Sequence, residues 1–426
     1  MPKLADDSFA HSERLMPFPD ALEILAQRIE PVTGIETVSL RSALGRTLAR
    51  DLVSDRDVPP SDNAAVDGYA VYFEDLEAKG ETRLPVGARI AAGHALKRPT
   101  RPGEALRVFT GAPIPTGPDT VVMEEDCRAD ETYVVVGAGP KKGANLRRAG
   151  EDIRRGATIL VAGRRLRAQE IGLAASVGAS GLDVFRRLRC AVFSTGDEIV
   201  DPDSAPAEAE AAGAGDRIFD SNRYAIMSLL DGLGCAVTDL GIVPDTRDAV
   251  HSALAAAASE HELLITSGGI SRGEEDHVAS AVQRLGSLYF WRLAVKPGRP
   301  IAFGQVRGAT FLGLPGNPVA ALVTFMRIAR PVVLALGGCG EVAPRLFRVT
   351  AGFSYAGKKT GRREWLRARL VAGADGAPVA ILFPREGSGI LTSMVEADGL
   401  VELDENASPV VEGDTVDFLP FNEVTG

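Results

Sequence analysis

The sequence predicts a multi-domain protein in which an α/β layer structure is combined with separate β-rich units. Three observations predict it. A chain of 426 residues is too long for one ordinary core and implies about two to four domains. Between residues 190 and 336, short apolar strands alternate with helical stretches, the pattern of a parallel sheet with helices on its faces. On either side, at residues 71–136 and 345–418, β-like runs are short and broken by Gly and Pro, as in small β domains.

The elements follow in order. Residues 19–29 read as a short amphipathic helix, with Leu22, Ile24, Leu25 and Ile29 apolar. Residues 57–60 form a proline break, and the Asx and Gly residues of 62–70 a tight turn. Strands are expected at 105–109 and 133–136. Residues 143–163 are turn-rich and basic, and 167–178 form a helix. Residues 190–194 are a buried strand, and 202–216, with little to bury, a flexible loop. A helix at 222–233 is capped by Asp220 or Ser221 and stopped by Gly234. Strands at 236–240 and 263–266 and helices at 245–259, 276–285 and 319–336 complete the alternation.

Composition narrows the function. Hydrophobic content of 45% and charged content of 24% belong to a soluble globular protein. A net charge of -10 disfavours nucleic acid as the main partner. No apolar run reads as long enough to span a membrane. The N-terminus is polar and acidic, so a cytoplasmic location is expected. Cys127, Cys190, Cys235 and Cys339 are far apart, and the five His are not at ligand spacing. A metal here should be hard and oxygen-bound rather than zinc.

The chemistry concentrates between residues 266 and 318. Thr266-Ser267-Gly268-Gly269-Ile270-Ser271 is a turn whose bare N–H groups suit an anion. Glu274-Glu275-Asp276 follows, and such carboxylates can hold a hard cation. Lys296-Pro297-Gly298-Arg299 adds two cations. Lys296 is the only lysine between Lys142 and Lys358 in an arginine-rich chain. Leu314-Pro315-Gly316-Asn317-Pro318 is a rigid turn. Ser194-Thr195-Gly196-Asp197-Glu198 and the 266–269 turn both end strands, where α/β sheets bind ligands. Glu198 and Asp276 serve either as ligand groups or as helix-dipole partners. Thr110, at a Gly-Pro bend, is either a ligand or a cap. Arg147-Arg148 with Glu151-Asp152 forms either an oxyanion clamp or a surface ion-pair network.

In their order, these motifs resemble the molybdopterin molybdenumtransferase family, the molybdenum insertases that include the gephyrin E domain. The carriers are Asp62-Asn63 with Asp67-Gly68-Tyr69-Ala70, Thr110-Gly111-Ala112-Pro113, Arg147-Arg148 with Gly150-Glu151-Asp152, Ser194–Glu198, Asp220-Ser221-Asn222, Thr266–Gly269, Lys296-Pro297-Gly298 and Gly313–Pro318. The resemblance runs from about Pro17 to the C-terminus.

It implies a molybdopterin-binding three-layer α/β domain with a parallel-type sheet at residues 187–337. A split elongated dimerisation domain is implied at 1–54 and 151–186, with a β-rich domain inserted at 55–150. A β barrel is implied at 340–426. The implied reaction moves molybdenum from molybdate to the dithiolene of adenylylated molybdopterin, with Mg2+ assisting and AMP leaving. Glu198, Asp276 and Asp245 would lie on the nucleotide side, with Glu198 and Asp276 holding the metal. Thr195, Gly196, Ser267, Gly268, Gly269 and Ser271 would bind beside them. Lys296, Arg299, Pro315, Gly316, Asn317 and Pro318 would line the pterin or molybdate pocket, with Arg363 and Ser388 added by the C-terminal domain. Asp62, Thr110 and Asp152 would come from the partner in a homodimer. Contacts with the adenylyltransferase and with receiving molybdoenzymes are implied as well.

Some positions depart from the family. Ala64 and Val66 stand where Ser and Met are more common, Arg299 where a second Lys is common, and Gly389 where a bulkier residue is frequent. Two other readings compete: the adenylyltransferase of the preceding step, and a binding or scaffold module without turnover.

Overall fold

The computed structural model describes residues 15–204, 217–270 and 277–425. Two separated stretches of sequence build one small unit. Strand Ile35–Ser39 pairs antiparallel with Gly181–Phe185, and Leu52–Val53 with Thr158–Leu160. Ala43 and Leu48 from the first stretch share a core with Leu166, Ala174 and Val184 from the second.

Helix Ala168–Ser176 of this unit starts on a carboxylate. Buried Glu170 accepts from the Arg167 N–H at 3.0 Å and from the Arg167 and Arg164 guanidinium groups at 2.7 and 3.0 Å. Those bonds, led by the one from the Arg167 side chain, hold its carboxyl down at about 2, against 4.5 ordinarily. A depressed carboxylate stabilises the fold above its unfolded pKa and loses that contribution as pH falls through the folded value. Glu170→Gln is therefore expected to lower stability by about 2 kcal/mol at pH 7. The gap between variant and parent should close as pH falls from 4.5 toward 2. Urea midpoints across that range check this; a gap that is constant with pH refutes it.

The inserted segment forms a six-stranded sheet in the order Thr120–Met123, Gly68–Val71, Ala105–Val108, Thr82–Ile90, Tyr133–Val136, Cys127–Ala129. Side chains alternate between its faces, as the period of two requires. Ala70, Leu106 and Val121 enter one apolar cluster, while Tyr69, Ala105 and Val122 enter the other. Gly68 lies so close to the Val122 carbonyl that a Cβ would sit 1.9 Å from its oxygen. No larger residue fits there.

The α/β unit has a six-stranded sheet. Ala236–Val243, Arg189–Thr195, Leu263–Ser267 and Ala309–Leu314 run parallel. Pro300–Val306 and Gly286–Arg292 extend the sheet antiparallel, an addition that strand–helix alternation does not signal. Helices Arg247–Glu260 and His277–Leu285 cover one face with Val250, Leu254, Val278 and Val282, against Ala191, Phe193 and Leu264. Helix Ser221–Gly232 and the 318–336 helix cover the other, against Val192, Ile265 and Leu312. Three layers result.

The 318–336 stretch corrects one expectation. Pro318–Leu336 is 19 residues long and apolar enough to cross a membrane by length and composition. In its most apolar 18-residue stretch 89% is buried inside the protein, so it is a core helix. Its middle widens into a π turn at Phe325–Ala329, just before Pro331. A proline N has no hydrogen to continue the regular ladder.

Near the C-terminus, five strands close on themselves as a barrel. Arg363–Ala372 pairs with Pro378–Leu382 and with Gly399–Leu403; Phe347–Ala351 and Thr415–Pro420 complete the ring. The α/β unit reaches it through Val295–Lys296, which pairs parallel with Arg363–Glu364. Beneath that join, buried Glu402 accepts from Arg327 at 2.9 Å, from Arg363 at 2.7 Å and from the Trp365 indole at 3.0 Å. Phe18, from helix Phe18–Arg28, packs edge-on against Trp365 with ring centroids 5.1 Å apart. The first helix therefore contributes to the α/β core and to the barrel seam.

Candidate active site

The sheet and the barrel frame a cavity of about 570 Å³. Lys296, Arg299, Pro315, Gly316, Asn317 and Ser388 line it. Six of the sequence-predicted residues thus meet, although 92 positions separate Lys296 from Ser388. Pairing of Lys296 with Glu364 sets the height of the lysine. The Pro315–Pro318 turn links strand Ala309–Leu314 to helix Pro318–Thr324, and the Val319 N–H donates to the Ser388 carbonyl at 2.9 Å. Pro318 is the first residue of that helix and does not itself line the cavity.

Lys296 is the best-defined charge here. Its ammonium donates to Glu386 at 2.7 Å and to the Tyr355 hydroxyl at 3.1 Å. The Tyr355 hydroxyl donates to buried Glu364 at 2.8 Å. Partial burial pulls the Lys296 pKa down, but Glu386 and Tyr355 outweigh it and the net shift is upward. The group is a fixed cation. Its partner Glu386 is 61% exposed, so the pair is open to exchange with an incoming anion.

The sequence reading missed several lining side chains. Lys359, Arg362, Arg367 and Glu386 come from the barrel. Arg363 does not line the cavity; it is held between Glu402 and Glu405, at 2.7 and 2.8 Å. Arg362, by contrast, reaches Glu364 at 2.8 Å and stays in the cavity wall.

A second group sits at the carboxyl ends of the parallel strands. Ser267 Oγ donates to the Pro315 carbonyl at 3.0 Å, and Asn222 Nδ2 donates to Ser267 Oγ and the Gly316 carbonyl, both at 2.7 Å. Gly268 and Gly269 take positive φ of 88° and 61°. A Cβ on Gly269 would meet Thr195 Cγ2 at 2.8 Å, so the turn closes onto the neighbouring strand end. Ser194 Oγ and Thr195 Oγ1 are buried and have no hydrogen-bond partner among the described residues. A buried hydroxyl left unpaired costs about 1–3 kcal/mol, so each such group calls for a partner, and a bound ligand is one candidate. Glu198 lies just past this strand, two residues beyond Gly196. Asp245 follows strand Ala236–Val243 and precedes Thr246, the cap of helix Arg247–Glu260. Ser271 and Asp276 lie outside the described residues.

Among the described residues, no three His, Cys, Asp or Glu side chains cluster as a metal cage. Magnesium does not need one, since it binds through one or two carboxylates plus substrate phosphates and water. The Glu198 carboxylate, at a strand end, fits that donor chemistry.

A third group lies on the inserted β unit. Asp62 accepts from the Ala149 N–H at 2.8 Å and from Arg148 at 2.6 Å, bonds that hold its carboxyl below the usual range. Thr110 donates its N–H and its hydroxyl to Asp67, both at 2.7 Å. Asp152 lines a cavity of about 480 Å³ with Asn63, Arg147 and Glu151. Asp62, Thr110 and Asp152 are absent from the lining of the Lys296 cavity, so a single chain does not bring them to it.

Comparison with known proteins places this arrangement. Residues 16–178 match the MoeA N-terminal region (domain I and II), 191–335 the probable molybdopterin binding domain, and 349–421 the MoeA C-terminal region (domain IV). The molybdopterin molybdenumtransferase of Haemophilus influenzae is 35% identical over 92% of this chain and 96% of its own. That of a Nostoc species is 37% identical over 74% and 73%. A crystal structure of the molybdopterin biosynthesis moeA protein from Pyrococcus horikoshii OT3 superposes with a TM-score of 0.81 at 26% identity, covering 96% of this chain and all of that one. The chain belongs to the molybdopterin molybdenumtransferase family, the transferases of molybdenum cofactor biosynthesis.

Proposed function

We propose that this protein is a molybdenum insertase: it transfers molybdenum from molybdate to the dithiolene of adenylylated molybdopterin and releases AMP. The observation that carries this reading is the meeting of Lys296 and Arg299 with the Pro315–Asn317 turn in one cavity. Molybdate is a tetrahedral oxyanion suited to such cations, and the sulfur ligands belong to the pterin. Lys296, protonated throughout the neutral range, gives up Glu386 and turns its ammonium to the arriving oxyanion. Arg299 and the barrel cations Lys359 and Arg362 neutralise the remaining charge. The strand-end group of Thr195, Gly196, Ser267, Gly268 and Gly269 receives the nucleotide end, with Asp245 beside it. Mg2+, when bound, supplies charge neutralisation at the pyrophosphate, and Glu198 and Asp276 are the residues that would hold it.

The division into residues 1–54 with 151–186, 55–150, 187–337 and 340–426 belongs to the same proposal, as do a homodimer and a cytoplasmic location. Asp62, Thr110 and Asp152 of one subunit would complete the cavity of the other. An Asp62→Ala protein mixed with an Asp276→Ala protein is expected to regain about a quarter of parental activity by random reassortment, since each mixed dimer holds one intact site. No recovery after subunit exchange removes the cross-dimer placement.

The function itself is tested with purified protein, adenylylated molybdopterin and magnesium, with and without molybdate. AMP release that requires molybdate supports the insertase. Tight binding without AMP under any oxyanion refutes turnover and leaves a binding module.

A further inference from the structure

A cavity of about 800 Å³ opens where the 161–167 turn of the split unit meets the end of helix Arg330–Leu336 and the 339–345 connection to the barrel. It shares no lining residue with the Lys296 cavity. Its size falls within the range of small-molecule sites, roughly 300–1,000 Å³.

Arginine dominates its wall: Arg164, Arg165, Arg167, Arg330 and Arg345. Arg164 and Arg167 share Glu170, and Arg164 also pairs with Glu341 at 3.7 Å. Arg165, Arg330 and Arg345 form no ion pair among the described residues, although Glu341 and Glu423 also line the cavity. Arg165 donates to the Gly232 carbonyl at 2.9 Å, and Arg330 to the Val342 carbonyl at 3.0 Å. The Nε of Arg330 is buried and has no hydrogen-bond partner among the described residues. Burial, and then the charge of nearby Arg165, push the pKa of Arg330 down. Two guanidinium groups thus line one cavity with no ion-pair partner among the described residues, the Glu423 carboxylate only partly offsetting their repulsion at Arg330. Beside them, Leu44 and Val161 are 63% and 59% exposed and give the rim an apolar surface.

We propose that this cavity is a binding site for a small phosphate-bearing anion, gripped by Arg165 and Arg330. A planar guanidinium presents paired N–H donors that match phosphate oxygens, and a phosphate supplies the missing counter-charge. Its occupant touches the split unit, the α/β unit and the connection to the barrel, and so stiffens their junction.

The test uses the full-length protein and inorganic pyrophosphate, titrated by calorimetry and by thermal unfolding at constant ionic strength. A Lys296→Ala, Arg299→Ala background removes the two turn cations of the other cavity. In that background, saturable binding and a rise in Tm of about 2–4 °C are expected. Arg165→Gln should weaken binding at least tenfold, and Arg165→Lys less. If Arg165→Gln is poorly folded without ligand, exposed Arg345→Gln serves instead and should weaken binding several-fold. Binding unaffected by Arg165→Gln, Arg330→Gln and Arg345→Gln overturns the proposal. So does the absence of saturable binding, or an effect that sodium chloride of equal ionic strength reproduces.

Discussion

Lys296→Ala is expected to lower molybdate-dependent AMP release by about 10²–10³-fold, the usual effect of removing one preorganised charge from an active site. The loss should appear with Tm nearly unchanged, because the side chain is about one-third exposed and its ion-pair partner Glu386 is a surface carboxylate. Strand Val295–Lys296 keeps its backbone pairing to Arg363–Glu364 whatever side chain stands there. Lys296→Arg should recover only part of the loss. A guanidinium keeps the charge, but it cannot bond Glu386 and the Tyr355 hydroxyl from the same compact point. Retention of more than a tenth of the activity by Lys296→Ala would remove this lysine from the reaction.

The largest structural effect should come from Arg223→Leu, expected to cost about 3–5 kcal/mol, the range for breaking a buried ion pair by removing one partner. Arg223 is 1% exposed. Its guanidinium donates to Asp220 at 3.0 Å and also to Asp201 and Asp239. Burial alone would lower its pKa, but the carboxylates outweigh it and the net shift is upward. Deleting the cation leaves Asp220, itself 4% exposed, as an unpaired buried charge. Asp220 also caps helix Ser221–Gly232. Adding Asp220→Asn to Arg223→Leu should therefore restore part of the loss, a non-additivity expected of direct partners. Denaturant midpoints of the two single variants and the double variant decide it; strict additivity would refute the pairing. Function should suffer too. Asp201 and Asp220 flank the small ribbon of Ile199–Val200 and Ile218–Phe219 that follows Glu198.

Much of this was legible in the sequence, for reasons visible residue by residue. The parallel core could be read because strands such as Arg189–Thr195 and Leu263–Ser267 are continuous apolar runs between helices with clear caps. Lys296, Arg299 and the Pro315–Asn317 turn could be read because Gly and Pro at fixed spacing mark them. The antiparallel strands Gly286–Arg292 and Pro300–Val306 were less visible, since no helix separates them. Lys359, Arg362 and Glu386 carry no local signal at all. They reach the cavity only because the barrel closes and docks on Val295–Lys296, a long-range event that no sequence window contains. The resemblance implies Arg363, and only the folded barrel shows that Glu402 and Glu405 hold it while Arg362 lines the cavity. The departures at Ala64 and Gly389 remain readable only as changes of side chain, for neither position lines the Lys296 cavity.

The contact between Phe18 and Trp365 also sets a schedule for biosynthesis. The two residues are about 350 positions apart in a chain made from its N-terminus. At about 5–20 residues per second, the ribosome reaches Trp365 on the order of 20–70 s after Phe18 emerges. Throughout that interval the apolar face of the first helix, Phe18, Ala21 and Leu25, lacks its final cover. A helix translated hundreds of residues before its cover is thus among the last to be sealed, and the nascent chain carries an open apolar stripe until the barrel strands arrive.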